Sequence, residues 1–152
     1  MRKLFVVLLV TFATSSPVVA GLYVSTARAA DSEASPAGEA VEIRRVIEAQ
    51  LATFRRDDGE GAFAFASPSI RAMFGDAATF LGMVRTGYPP VYRPREVEFR
   101  SLGVEEGRLT QRVLLVGPDG MPVTARYTME RQPDGTWRIG GCVLERAPDV
   151  AT

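Results

Sequence analysis

The stretch "REVEFRSLGVEEGRLTQRVLLVGPDGMPVTARYTMERQPDGTWRIGGCVLER", residues 95–146, alternates apolar and polar residues with a period of two. Three turn signals, "EEG", "GPDG" and "PDG", divide it into four segments. Connections this short join neighbouring strands that run in opposite directions. The stretch therefore predicts a four-stranded antiparallel meander.

The alternation predicts two unlike faces for this sheet. The apolar face collects Val97, Phe99, Leu109, Val113, Leu115, Val123, Ala125, Tyr127, Met129, Trp137 and Ile139. The opposite face collects Glu96, Glu98, Arg100, Thr110, Arg112, Thr124, Arg126, Thr128, Glu130 and Arg138. A mixed-charge sheet face is usually solvated. The alternative is a homodimer interface in which arginines and acids pair across chains.

The chain before the sheet has helical spacing. An apolar stripe predicts one long amphipathic helix, formed by Ile43, Val46, Ile47, Leu51 and Phe54. Short helices are predicted to follow, beginning at Asp57 or Asp58, at Ser67-Pro68 and at Asp76, and ending at Gly75 and Gly87. The order predicts an α+β fold in which a long helix and short helices pack on a curved four-stranded antiparallel meander.

The segment "GYPPVYRPR", residues 87–95, joins the helical part to the first strand. Its three prolines predict an extended and stiff connection. Tyr88 and Tyr92 stand on this connection at the expected rim of the fold, where a phenol can cover apolar surface and still donate a hydrogen bond. Both are candidate ligand contacts.

Two glutamines interrupt the apolar patterns, Gln50 on the long helix and Gln111 on the apolar sheet face. Together they indicate a polar spot inside an apolar cavity, which is the usual composition of a small-ligand pocket. The alternative is that the two amides satisfy each other or a nearby backbone group. The candidate pocket residues are Gln50, Gln111, Tyr88, Tyr92, Tyr127 and Trp137.

The N-terminus has the pattern of a secretory signal peptide. Arg2 and Lys3 precede an apolar run at residues 4–10, and Ala27 and Ala29 predict cleavage after Ala29. The alternative is an uncleaved membrane anchor over residues 4–24. Either interpretation places the globular part outside the cytoplasm, in the periplasm or secreted. We expect a signal peptide at 1–29, a flexible linker at 30–40, one domain at 41–147 and a tail at 148–152.

Composition excludes several kinds of chemistry. The chain has no histidine, and Lys3 is its only lysine. Cleavage after Ala29 would leave 15 arginines against 18 acidic residues, a formal charge of −3, which argues against nucleic acid as a partner. Cys142 is the only cysteine, so no intrachain disulfide can form, and a packed or half-buried position is expected for it. We predict no catalytic residue, metal or cofactor.

Four segments carry a resemblance to a known family: "IEAQLATFRRDDGEGAFAFASPSIRAMFG", "FLGMVRTGYPPVYRPREVEF", "QRVLLVGPDG" and "YTMERQPDGTWRIGGCVL". Over residues 42–146 the chain resembles a bacterial exported family, domain of unknown function 4864. The order of elements resembles the cone-shaped fold of the nuclear transport factor 2 superfamily. The resemblance implies a fold but no activity, because that family has none assigned. No catalytic residue carries over from the superfamily's enzymes, since they use histidine, or a buried aspartate with a tyrosine, and neither motif is matched here.

Two functions follow as hypotheses. The first is a non-catalytic module of the cell envelope that binds a small apolar molecule or a protein partner. The second is a histidine-free isomerase or lyase that uses a carboxylate and a tyrosine in the pocket. A buried acid beside the pocket would favour the enzyme, because only a desolvated carboxylate acquires a pKa near neutrality. The acids of this sequence fall on caps, turns and the polar face, which favours binding.

Overall fold

The computed structural model describes residues 35–147. The expected signal peptide, residues 30–34 of the expected linker and the tail at 148–152 lie outside this range. Within it, the chain forms five helices followed by four strands: α1 Pro36–Arg55, α2 Gly59–Ala64, α3 Pro68–Phe74, α4 Ala77–Gly87, α5 Pro89–Tyr92, β1 Glu96–Glu105, β2 Arg108–Val116, β3 Pro122–Arg131 and β4 Trp137–Arg146. This is the predicted α+β class.

Helix α1 begins earlier than the sequence analysis predicts. The Ser35 side chain accepts a hydrogen bond from the Gly38 amide, and Pro36 occupies the first helical position. A serine cap followed by proline is a helix start. Residues 36–40, expected as linker, are therefore helical.

The short helices begin and end as predicted. Asp58 accepts from the Gly61 amide at 2.8 Å, and Asp76 accepts from the Thr79 amide at 2.7 Å. Ser67 caps α3 in the same way. Gly75, at φ +78°, ends α3 in a backbone conformation that favours glycine.

The four strands form one antiparallel sheet in the order β1-β2-β3-β4, which confirms the meander. Glu106 and Gly107 form the two-residue turn between β1 and β2, both with positive φ. Two β-bulges interrupt the register, one in β1 between Phe99 and Leu102 and one in β4 at Gly140. Bulges bend a strand and change which face the following side chains occupy.

The helices pack on one face of the sheet, and the core lies between them. Ile43, Ile47, Leu51 and Phe54 of α1 are buried against it. The predicted apolar face is confirmed by the buried strand residues Val113, Leu115, Ala125, Tyr127, Met129, Trp137 and Ile139. Thr110 departs from the prediction: it is buried although it belongs to the polar face, and its hydroxyl donates to the Arg108 carbonyl.

No helix within residues 35–147 is long and apolar enough to cross a membrane. The anchor alternative concerns residues 4–24 and lies outside the described residues.

Candidate functional site

A cavity of about 220 Å³ lies between the helices and the strands β3 and β4. Most of its lining is apolar and comes from Phe54, Ala66, Ile70, Met73, Phe74, Phe80, Met83, Val84, Val91 and Ile139. Met73 on α3 is 73% exposed and also lines the cavity, so the cavity opens to solvent beside α3. Helix α3 has no buried residue, so it is the least buried helix of the cavity wall.

Gln50 places a polar group in this apolar lining. Its side chain is buried, and its Nε2 donates to the Ala62 carbonyl at 3.2 Å. No group within residues 35–147 donates to its Oε1. One hydrogen-bond acceptor of Gln50 is therefore left unused in the cavity wall.

Tyr127 supplies a second polar group. It is fully buried on β3, and its hydroxyl has no hydrogen-bond partner among the described residues. Burial raises the pKa of this phenol well above its usual value. An unpartnered buried polar group costs about 1 to 3 kcal/mol, so such a group in a cavity wall needs an explanation.

Cys142 lies opposite Tyr127 on β4 and also lines the cavity. The two side chains are close enough to influence each other's pKa, but they do not meet hydrogen-bond geometry. Burial raises the pKa of the Cys142 thiol to about 12, so it stays protonated at neutral pH and is not an activated nucleophile. The half-buried position expected for Cys142 is confirmed.

The bulge at Gly140 brings Cys142 into the cavity. With strict alternation from Trp137 and Ile139, the next inward residue would be Gly141. The extra residue shifts the register so that Cys142 pairs with Tyr127 instead. The adjacent glycines "GG" in a strand are the sequence signal for such a bulge.

The two tyrosines of the proline-rich connection have different positions. Tyr88 lines the cavity, whereas Tyr92 does not. The Tyr92 hydroxyl donates to Asp57, and Arg93 Nη2 donates to the same carboxylate oxygen at 2.8 Å. The Arg93 guanidinium also lies 4.0 Å from the centre of the Tyr92 ring. Tyr92 therefore ties the connection to the end of α1.

The connection is not extended as predicted. Pro89 and Pro90 begin the helical turn α5, because the fixed φ of proline suits the first helical positions. This turn places Tyr88 and Val91 in the cavity lining. The same prolines thus stiffen the segment in a helical conformation.

Gln111 does not reach the cavity. Its Nε2 donates to the carbonyls of Arg100 at 3.1 Å, Ser101 at 3.2 Å and Arg112 at 2.8 Å, and so closes the bulge in β1. The two glutamines therefore neither pair nor form one polar spot, and each bonds backbone carbonyls. Trp137 also lies outside the cavity lining, in the wall of a separate groove.

The outer face of the sheet, away from the helices, carries a network of ion pairs within the chain. Glu105 binds Arg112 at 2.6 Å and Arg126 at 2.9 Å, and Arg126 also binds Glu145 at 2.9 Å. The hydrogen bond from Arg112 holds the pKa of Glu105 below its usual value. These groups satisfy one another in one chain, and the homodimer through this face stays a prediction.

The acidic residues do not contribute to the cavity. Its described lining contains no aspartate or glutamate. Residues 35–147 also contain no cluster of three side chains suited to hold a metal ion.

Fold and site together define a small α+β domain with a mainly apolar cavity between its helices and its sheet. Residues 36–152 match the family described as Domain of unknown function (DUF4864). The chain belongs to this family. No curated protein and no solved structure matches it.

Proposed function

We propose that this domain is a non-catalytic binding module whose cavity takes a small, largely apolar molecule with one polar group. The observation that carries the proposal is the unused acceptor of Gln50 in an apolar cavity of about 220 Å³. An engineered apolar cavity of about 150 Å³ already binds benzene. The space therefore suits a single ring with a few additional atoms.

The polar groups of the wall set the chemistry of the expected ligand. Gln50 Oε1 needs a donor, and the buried Tyr127 hydroxyl, which has no partner among the described residues, needs an acceptor. An alcohol supplies both from one atom. Because the Tyr127 hydroxyl is sealed from solvent, a ligand reaches it only when a neighbour such as the Cys142 side chain moves.

A matched pair of probes tests this chemistry. Toluene and benzyl alcohol have similar size, but only benzyl alcohol has the hydroxyl. We expect both to shift the NMR signals of cavity residues, with benzyl alcohol binding about three- to tenfold more tightly because of one added hydrogen bond. Gln50→Leu should abolish this preference and leave toluene binding intact.

Two substitutions on α4 test the location. Met83 and Leu81 are both half-buried, but only Met83 lines the cavity. Met83→Trp should fill the space and block both probes, whereas Leu81→Trp should leave binding unchanged. Failure of the unmodified protein to bind either probe would refute the proposal. Equal binding of the probes by the two variants would mean that the binding site is not this cavity.

The enzyme hypothesis receives less support from the structure. Asp57 and Tyr92 hold the required carboxylate and phenol together, but neither residue lines the cavity. The carboxylate is also bound by Arg93 at 2.8 Å. These contacts support a structural role for the pair.

We further propose that the protein is exported and acts in the periplasm or after secretion. The support is the N-terminal pattern ending at Ala27 and Ala29. Sequencing of the protein from its source cells should then begin at Ala30, and native mass spectrometry of the same material would show a retained ligand. A chain that still begins at Met1 in the membrane fraction would support the anchor alternative.

The order of helices and meander supports placing the family within the nuclear transport factor 2 superfamily. An experimental structure of the domain tests this placement by superposition. A sheet that does not curve around the helices would contradict it.

A further inference from the structure

A second hollow lies between α1 and the turn that joins β3 to β4. It is a groove of about 360 Å³, and its lining shares no residue with the cavity. The residues that give it its character are Arg45, Arg131, Arg138, Trp137, Glu42 and Asp134. Unlike the cavity, this groove is lined largely by charged groups.

The three arginines of the groove are engaged only in part: Arg138 donates to the Trp137 carbonyl at 3.3 Å, and the Arg131 guanidinium lies against the Trp137 ring. Within residues 35–147, Arg45, Arg131 and Arg138 form no ion pair, in contrast to Arg112 and Arg126 on the outer face. Three positive groups stand against the two carboxylates of Glu42 and Asp134. The groove therefore has a net positive charge.

Asp134 is already engaged in the turn. Its Oδ1 accepts from the Thr136 amide at 2.9 Å and from the Thr136 hydroxyl at 2.7 Å. These bonds lower the pKa of the carboxyl, which keeps it ionised and in place. Within residues 35–147, neither Asp134 nor Glu42 forms an ion pair with Arg45 or Arg131, so both guanidiniums are available to another anion.

Trp137 adds an aromatic surface and a donor. Trp137 is 8% exposed. Its indole Nε1 donates to no group among residues 35–147, and this nitrogen is still accessible to solvent. The Arg131 guanidinium lies over the ring, 5.9 Å from its centre. The groove wall thus holds a positive charge against the partly covered indole ring.

We propose that this groove binds a small organic oxyanion, a phosphate or carboxylate carried on a planar group. Guanidinium groups bind such oxyanions through paired, charge-assisted hydrogen bonds. The volume of about 360 Å³ exceeds what the oxyanion alone occupies and leaves room for a ring beside Trp137. The site is independent of the cavity and of the function proposed for it.

Trp137 provides a direct readout, because it is the only tryptophan of the chain. Titration of the full chain with phenyl phosphate should give a saturable change in tryptophan fluorescence. Phenol and inorganic phosphate, which each carry half of the probe, should bind at least about tenfold more weakly. Benzoate in parallel distinguishes a carboxylate from a phosphate as the preferred oxyanion.

Substitutions of exposed arginines test the site without threatening the fold. Arg45→Gln and Arg131→Gln should each weaken phenyl phosphate about tenfold by removing a charged hydrogen-bond donor. Arg55→Gln is the matched control, because Arg55 is an exposed arginine of α1 outside the groove. Gln50→Leu should change nothing, which separates this site from the cavity.

Two results would overturn the proposal. One is phenol binding as tightly as phenyl phosphate, which would mean that the arginines do not recognise the anion. The other is that the Arg45→Gln, Arg131→Gln and Arg55→Gln variants all bind phenyl phosphate with equal affinity. Because Arg45 does not stack on Trp137, its variant keeps the fluorescence readout intact.

Discussion

The two faces of the sheet use their polar groups in opposite ways. On the outer face, Glu105, Arg112, Arg126 and Glu145 bind one another in a closed network. On the inner face, the Tyr127 hydroxyl has no partner within the described residues. A polar group that is already paired gains little from a ligand, whereas an unpaired buried group gains the most. A ligand would therefore gain more from the polar groups of the inner face than from those of the outer face.

The largest effect on the free energy of unfolding should come from truncating a large side chain on the inner face. Trp137 is buried, so Trp137→Ala should lower the free energy of unfolding by about 3 to 5 kcal/mol. Val143 lies on the outer face and is 55% exposed, so Val143→Ala should stay within about 0.5 kcal/mol of the unmodified protein. Urea unfolding measures both. Equal stabilities would show that the inner face is not the core.

Alkaline pH should also act through the inner face. The Cys142 thiol has a pKa of about 12 in the folded chain against an ordinary value of 9.0, so the unfolded chain loses this proton first. Stability should therefore fall as the pH rises above about 9, by about 1.4 kcal/mol per pH unit for one group. Tyr127, whose pKa is also raised, adds to the loss above about pH 10.

Cys142→Ser isolates the contribution of the thiol, because a serine hydroxyl does not titrate in this range. The variant should lose less stability than the unmodified protein between pH 9 and pH 11, measured by urea unfolding at each pH. Lys3 is the only lysine of the chain, which keeps the alkaline titration simple. Parallel curves for the two proteins would contradict the burial of the thiol.

Gln50 and Gln111 also differ in how fully their side chains are hydrogen-bonded, although they are the same residue type. Gln111→Leu should cost about 1 to 3 kcal/mol, because it removes the two N–H donors that the carbonyls of Arg100, Ser101 and Arg112 share. Gln50→Leu should cost less, since the one group within residues 35–147 that accepts from its amide, the Ala62 carbonyl, also accepts from the Phe65 amide.

The double variant tests whether the glutamines are coupled. They share no partner, so the two effects on unfolding should add within about 0.5 kcal/mol. Recovery of stability in the double variant would mean that the two amides pair with each other and not with backbone carbonyls. Thermal or urea unfolding of the three variants decides this.

The regular parts of the fold could be predicted because local rules determine them. The bounds of β2 are those of its alternating segment, and Asp58, Ser67 and Asp76 cap helices as their side-chain chemistry requires. Gly75 ends α3 at a positive φ, and Gly87 is the last residue of α4. Such signals involve residues only a few positions apart.

The candidate site could be predicted only in part, because it depends on contacts between distant segments. Gln50 and Gln111 look alike in an apolar pattern, but a bulge eleven residues from the second one determines its partners. Tyr88 and Tyr92 are equivalent by composition, and only the position of Asp57 separates their roles. The irregularity at Gly140 likewise decides that Cys142 faces the cavity.

The smallest effect should come from the outer face at acid pH. The pKa of Glu105 is held below its usual value of 4.5, chiefly by the hydrogen bond from Arg112. The stabilisation is therefore complete above about pH 4.5 and is lost as the pH falls through the lower folded-state pKa. Glu105→Gln should make the melting temperature depend less on pH between pH 5 and pH 3. Glu98→Gln is the control, because within the described part of the chain Glu98 forms a single, exposed pair, with Arg100.

The same variant tests the alternative of a homodimer through this face. If Glu105 pairs only within its own chain, Glu105→Gln should leave the sedimentation coefficient unchanged at every protein concentration. If the arginines and acids instead pair between chains, the variant should dissociate a dimer that the unmodified protein forms. A concentration-dependent melting temperature that disappears in the variant would be the matching thermal signature. Either change would mean that the outer network is shared between chains. The two faces would then differ in their partner: the outer face would bind a second copy of the chain, and the inner face a small ligand.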